Sequence, residues 1–233
     1  MGRRSPLMRP RHAVAPICPS DEIRSSPCAP DVVPIPAGML DGHAVGPFLL
    51  GRTPVTNSQY APCLAAGGLP ETPWWNDPAF RSPRQPVVGV TWNDAVAYCA
   101  WLSETFGGRW RLPAEAEWEF AACGGLDAPL TAWGRSIPEG EIPQGPLAAP
   151  WDVGRGRPNG FGLFDMGTIV HEWCLDEVER PDLPPRRASR GGSWRHQIRW
   201  SAPSARSSLP PGYRYSDYGF RVLRESRDAV DLR

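Results

Sequence analysis

Residues 86–122 read PVVGVTWNDAVAYCAWLSETFGGRWRLPAEAEWEFAA, and this stretch decides how the rest of the chain is read. Thr91 is a good N-cap, because its hydroxyl can accept from an unpaired N–H of the first helical turn. Asp94, three residues on, suits the positive end of the helix dipole. Ala95, Cys99, Leu102 and Phe106 recur at helical spacing, and Gly107-Gly108 stops the run. The spacing predicts a helix over 91–106. Trp110-Arg111-Leu112 then reads as a short strand. Pro113 opens a further helix over 114–123, with Glu115 and Glu117 near its N-terminus and Gly124-Gly125 at its end. Two helices with a short strand between them point to a mixed α+β core.

Outward from this stretch the elements are shorter. Residues 32–38 and 47–51 read as short strands. Thr56 offers an N-cap for a helix to Ala66, stopped by Gly67-Gly68. Residues 69–85 form a proline-rich loop carrying Trp74 and Trp75, and residues 126–160 a long loop of little periodicity. Residues 161–175, 189–194 and 219–223 read as strands, and 195–217 as irregular chain. The 29 prolines, 24 glycines and 11 tryptophans of the 233 residues agree with short elements, abundant ordered loop and a real core. Residues 1–31 are polar and rich in proline and arginine, so the predicted organisation is a tail over 1–31, one domain over 32–224 and a second tail over 225–233.

Charge and cysteine usage narrow the function. The formal net charge is zero, and no basic stripe calls for a nucleic-acid partner. No apolar run has signal-peptide or membrane-span length, so a cytoplasmic protein acting away from membranes is expected. The six cysteines contain no CxxC pair, which excludes zinc-ribbon spacing. Cys99 and Cys174 sit among apolar residues and read as buried thiols.

Five segments in order carry a family resemblance: Ile35-Pro36-Ala37-Gly38; Pro54 to Tyr60; Pro86 through Ala122; Pro158-Asn159-Gly160-Phe161-Gly162-Leu163-Phe164-Asp165-Met166 with His171-Glu172-Trp173; and Arg190-Gly191-Gly192-Ser193-Trp194, closed by Gly219-Phe220-Arg221. Together they resemble the formylglycine-generating enzyme, or sulfatase-modifying factor, family over roughly 32–224. The resemblance implies an α+β domain related to C-type lectins, with few strands and much loop. It also implies that Glu115, Glu117 and Glu119 serve as caps and salt-bridge partners.

The resemblance fails at one place. The family's oxidases convert a target cysteine to formylglycine with oxygen and copper, and hold the copper on two cysteines just after the Gly-Gly-Ser-aromatic motif. Here Trp194 is followed by Arg195-His196-Gln197-Ile198-Arg199-Trp200-Ser201, and no cysteine follows Cys174. The family's pocket positions map onto Ser193, His171, His196 and Asp217. Two imidazoles and a carboxylate suit iron, or copper, as a facial set with open positions. The implied function is an oxygen- and metal-dependent oxidoreductase acting on a peptide or small metabolite, rather than a standard sulfatase-cysteine oxidase.

The family's structural calcium maps onto Asp165, the carbonyls of Thr168 and Val170, and Glu172, an all-oxygen set suited to a hard cation. The family's other calcium site maps into 134–150, where this chain is shorter, and is expected to be missing. The alternative to an enzyme is a non-catalytic ligand-binding module. Trp194, Arg195, Arg199, Trp200, Arg206 and Tyr215, with Tyr213, Arg214 and Tyr218, would then form an aromatic and arginine-rich surface. The variable proteins of diversity-generating retroelements resemble this C-terminal region.

Overall fold

The computed structural model describes residues 29–143, 147–196 and 201–226. The expected pair of tails lies largely outside these residues. The domain itself reaches slightly further than 32–224. Asp31 accepts from Arg52 Nε at 2.5 Å, and the last strand runs to Glu225, which pairs with Arg111 at 2.9 Å.

All three expected helices form. α1 covers Asn57–Ala65, α2 Trp92–Phe106 and α3 Glu115–Cys123. The first two begin with reciprocal caps. Gln59 N–H bonds Thr56 Oγ1 and Thr56 N–H bonds the Gln59 side chain; Thr91 and Asp94 do the same. Ala114, at the start of α3, has no side chain for the task, so Glu117 reaches back to Ala114 N–H at 2.7 Å while holding Arg111 with both oxygens. The α2 face of Ala95, Tyr98, Cys99, Leu102 and Phe106 is buried against Val87, Val90, Trp173, Phe220 and Val222. Truncating Leu102 there would cost about 2–5 kcal/mol.

The strands are shorter than the sequence reading. β1 (Val32–Ile35), β4 (Phe48–Gly51), β10 (Leu223–Glu225) and β5 (Trp110–Arg111) form one antiparallel sheet in that order. Between β1 and β4 lies a hairpin, β2 (Gly38–Leu40) with β3 (His43–Val45), where the sequence reading had no strand. A second four-stranded sheet has the order β8 (Arg206–Leu209), β7 (Arg186–Arg190), β6 (His171–Val178) and β9 (Tyr218–Gly219). β9 runs parallel to β6, with His171 opposite Tyr218 and Glu172 opposite Gly219.

Three strand expectations are corrected. Residues 161–170 are turns, because Gly162, Asp165 and Gly167 take positive φ and break extension. The strand expected over 189–194 ends at Arg190, since Gly191 turns with φ 74°. A Cβ on Gly191 would lie 2.6 Å from Gly167 Cα, so only glycine fits. The closing segment is split: Tyr218–Gly219 serves one sheet and Leu223–Glu225 the other. Phe220, Arg221 and Val222 cross between them, fully buried.

At that crossing sits the charged centre of the fold. Arg221 and Glu172 are both fully buried, with Arg221 Nε to Glu172 Oε2 at 2.6 Å and Nη2 to Oε1 at 2.9 Å. Trp118 Nε1 donates to the same carboxylate at 2.7 Å. Arg190, 1 % exposed, lies 2.8 Å from both Glu115 and Glu119, so the glutamates of α3 are salt-bridge partners. Among the described residues, no helix is long and apolar enough to cross a membrane.

Candidate functional site

The two sheet segments that carry the family motifs open onto one cavity of about 720 Å³. His171, His196 and Asp217 meet there, and one ligand atom from each lies within 4.8 Å of the others. The sequence separations are large, so the fold must bring them together. His171 starts β6, and Asp217 precedes β9, whose parallel pairing to β6 begins with His171 N–H bonding Asp217 carbonyl at 2.9 Å. Ser193 and His196 lie in the turn beyond β7, where His196 N–H bonds Ser193 carbonyl at 2.9 Å.

Hydrogen bonds fix the state of the first imidazole. His171 Nδ1 lies 2.6 Å from the carbonyl of Gly191. A carbonyl only accepts, so Nδ1 carries the proton and Nε2 presents its lone pair to the cavity. Nε2 is 3.1 Å from His196 Nδ1 and 4.0 Å from Asp217 Oδ2. Burial, reinforced by His196, lowers the pKa of His171 against the opposing pull of Asp217 and Gly191. A buried neutral imidazole with an outward lone pair could hold a metal. The Tyr218 ring packs against His171 with centroids 4.8 Å apart and restricts its rotation.

Ser193 joins the remaining groups. Its hydroxyl donates to Asp217 Oδ2 at 2.9 Å and lies 3.1 Å from His196 Nδ1. With its proton committed to the carboxylate, Ser193 Oγ accepts from His196 Nδ1–H. Ser193 therefore does not stand on the strand that opens its motif; it lies three residues past the end of β7 and bridges two candidate ligands.

The donor set decides which metal fits. Cys63, Cys99, Cys123 and Cys174 are free and buried, and none lines the cavity. A two-thiolate copper site therefore does not fit these residues. Two imidazoles and one carboxylate fit iron, the set found in facial-triad oxygenase chemistry.

The expected ligand surface divides. Arg195, Arg206 and Tyr215 line the cavity. Trp194 does not: its ring packs on Phe80 at 6.1 Å and its indole N–H bonds Ser216 carbonyl, so it serves the small core beneath the site. Arg199 and Trp200 lie outside the described residues. Arg214 pairs with Asp94 at 2.8 Å and ties the loop before Asp217 to the start of α2. The Gly191 carbonyl was not anticipated from sequence; the paired glycines of the Arg-Gly-Gly-Ser motif are the signal that could have found it.

The residues expected to hold calcium are all buried, and their two carboxylates are unequally compensated. Glu172 is balanced by Arg221. Asp165, 4 % exposed, accepts from Gly154 N–H at 2.7 Å and has no ion-pair partner among the described residues. Burial pushes its pKa up to about 6. An under-balanced buried carboxylate fits a hard cation, with Thr168 and Val170 adjacent in the same turn.

Comparison with known proteins agrees with this architecture. The sequence model of the "Sulfatase-modifying factor enzyme 1-like domain" matches residues 38–226. A formylglycine-generating enzyme of Thermomonospora curvata is 32% identical over 268 residues, covering 82% of this chain and 85% of that protein. Among solved structures, PvdO from Pseudomonas aeruginosa superposes with TM-score 0.71 and 27% identity, over 86% of this chain and 96% of that one. Treponema denticola variable protein 1 superposes with TM-score 0.66 and 25% identity, over 84% and 93%.

Proposed function

Because the chain belongs to the sulfatase-modifying factor enzyme 1-like family, which includes the formylglycine-generating enzymes, we propose that it is a metal-dependent oxidoreductase with a divergent centre. Iron is held by His171, His196 and Asp217 in place of copper on two cysteines. The substrate is a small metabolite or a short peptide segment, matched to a cavity of about 720 Å³. The observation that carries this reading is the meeting of the three ligand atoms within 4.8 Å, with His171 Nδ1 bonded to a backbone carbonyl.

Bound iron supplies oxygen-dependent electron transfer. The chain's own residues prepare the site. Gly191 carbonyl and the Tyr218 ring orient His171. Ser193 steadies Asp217 by donating to Oδ2 and takes the proton of His196 Nδ1 as a hydrogen bond. In the other tautomer of His196, with the proton carried on Nε2, the Nδ1 lone pair stands beside that of His171 Nε2. Asp217, itself buried, supplies the negative charge that offsets the metal's charge. We further assign calcium a structural role at Asp165 and Glu172, with the carbonyls of Thr168 and Val170.

The test is elemental analysis of the purified protein, followed by oxygen consumption with candidate substrates. About one iron per chain, lost in His171→Ala and His196→Ala, is expected. Absence of any redox metal at stoichiometric level would overturn the assignment. One observation favours a second reading, a binding module: Tyr215, 41% exposed, lines the cavity with Arg195 and Arg206, and Tyr213, 50% exposed, stands 6.3 Å from its ring. Under that reading ligand affinity is indifferent to His171→Ala.

A further inference from the structure

The rim of the cavity carries a charge pattern that the metal does not explain. Arg195 and Arg206 both line it, and both are exposed. Arg195 has no carboxylate partner among the described residues, and Arg206 has only a shared one. Arg206 Nε is 3.7 Å from Glu115 Oε1, yet that carboxylate is already 2.8 Å from the buried Arg190. Arg195 makes no ion pair among the described residues; its guanidinium stands 5.8 Å from the Trp194 ring centroid. Asp217, the cavity's own carboxylate, accepts from Ser193 and faces the imidazoles. The opening is therefore positive before any metal binds. Tyr215, 41% exposed, and Leu209 line the same cavity as the two arginines.

A surface arginine without a partner is ordinarily just solvated. Two on one concave site, with no free carboxylate between them, form a recognition element. Guanidinium groups bind carboxylates in paired, parallel hydrogen bonds, and a concave wall concentrates their field. We infer that the substrate of this site carries a carboxylate, held at the rim by Arg195 and Arg206 while its planar or apolar body lies against Tyr215 and Leu209. The inference deepens the oxidoreductase reading and rests on this cavity being the reaction site. It does not depend on the metal being present.

The test uses the full chain, stripped of metal with chelator, and four probes read by ligand-observed NMR titration. The first pair is 4-hydroxybenzoate against 4-hydroxybenzamide. The second is a capped Ala-Glu-Ala peptide against capped Ala-Gln-Ala. The carboxylate member of at least one pair should bind about tenfold more tightly or better. The preference should fall towards unity in the double variant Arg195→Ala with Arg206→Ala, whose melting temperature stays unchanged. A preference confined to the benzoate assigns the anion to a free small molecule, and one confined to the glutamyl peptide assigns it to a peptide substrate. A ratio below about twofold in both pairs, or one that survives in the double variant, overturns the inference. Iron uptake by the same double variant keeps the two readings apart: it should be normal. A wild-type chain that prefers carboxylates but takes up no iron would refute the metal assignment alone.

Discussion

Replacing Arg221 with methionine should be the most destabilising single change at the crossing between the two sheets. The guanidinium makes two bonds to Glu172, one to Gly51 carbonyl at 2.9 Å and one to Phe164 carbonyl at 3.1 Å. Methionine fills much of the volume but removes every donor. Glu172 would keep a single partner, Trp118, for a fully buried carboxylate. Breaking a buried pair from one side costs about 3–5 kcal/mol. For a domain of this size about 2–4 °C accompanies each kcal/mol, so a melting temperature lower by about 6–20 °C is expected. The stranded carboxylate can relieve the loss by taking up a proton, so the deficit should be smaller at pH 5 than at pH 8. Glu172→Gln added to Arg221→Met should recover part of the loss. Denaturant titration at both pH values measures all of this. A deficit below about 1 kcal/mol at pH 8, or a double variant no better than Arg221→Met, would refute the reasoning.

Three further outcomes are expected. Asp165→Asn should flatten the pH dependence of stability in calcium-free buffer. Native Asp165 keeps its proton to about pH 6, while the unfolded chain releases it near pH 4, so wild-type stability falls by about 3 kcal/mol as pH rises between these. Millimolar calcium should flatten the same slope in wild type, and an unchanged slope counts against calcium there. Ser193→Ala should keep the fold and bind iron about 10–100-fold more weakly, in metal-competition titrations, because Asp217 and His196 lose their shared partner. Burial pushes the thiols of Cys63 and Cys123 up to about 11 and those of Cys99 and Cys174 up as well. Mass-spectrometric mapping after a thiol reagent at pH 8 should find these four unmodified in the native protein.

The helices were legible because their signals are local. Thr56, Thr91 and the α2 periodicity each lie within one or two turns of what they control. The strands were read too long, because the turns at Asp165 and Gly191 depend on positive φ forced by packing. The β2–β3 hairpin has an Asp41-Gly42 turn that the reading passed over, with φ 48° and 80°. The identities of the site residues came only through the family resemblance. Nothing near His171 announces Asp217, 46 positions later, since a two-residue parallel strand leaves almost no trace in sequence. The packing of the Trp194 ring on Phe80 was not legible, because a tryptophan beside arginines reads alike whether its ring faces solvent or core.

The placement of His171 beside Glu172 has an evolutionary consequence. Adjacent strand residues face opposite ways, so one looks into the cavity and the next into the ion-paired interior. Ser193, three residues past the buried Arg190, repeats this division between chemistry and scaffold. A lineage can therefore exchange its reactive side chains one at a time while the Glu172–Arg221 and Arg190 pairs stay intact. On such a frame, the absence of a cysteine pair leaves the architecture standing.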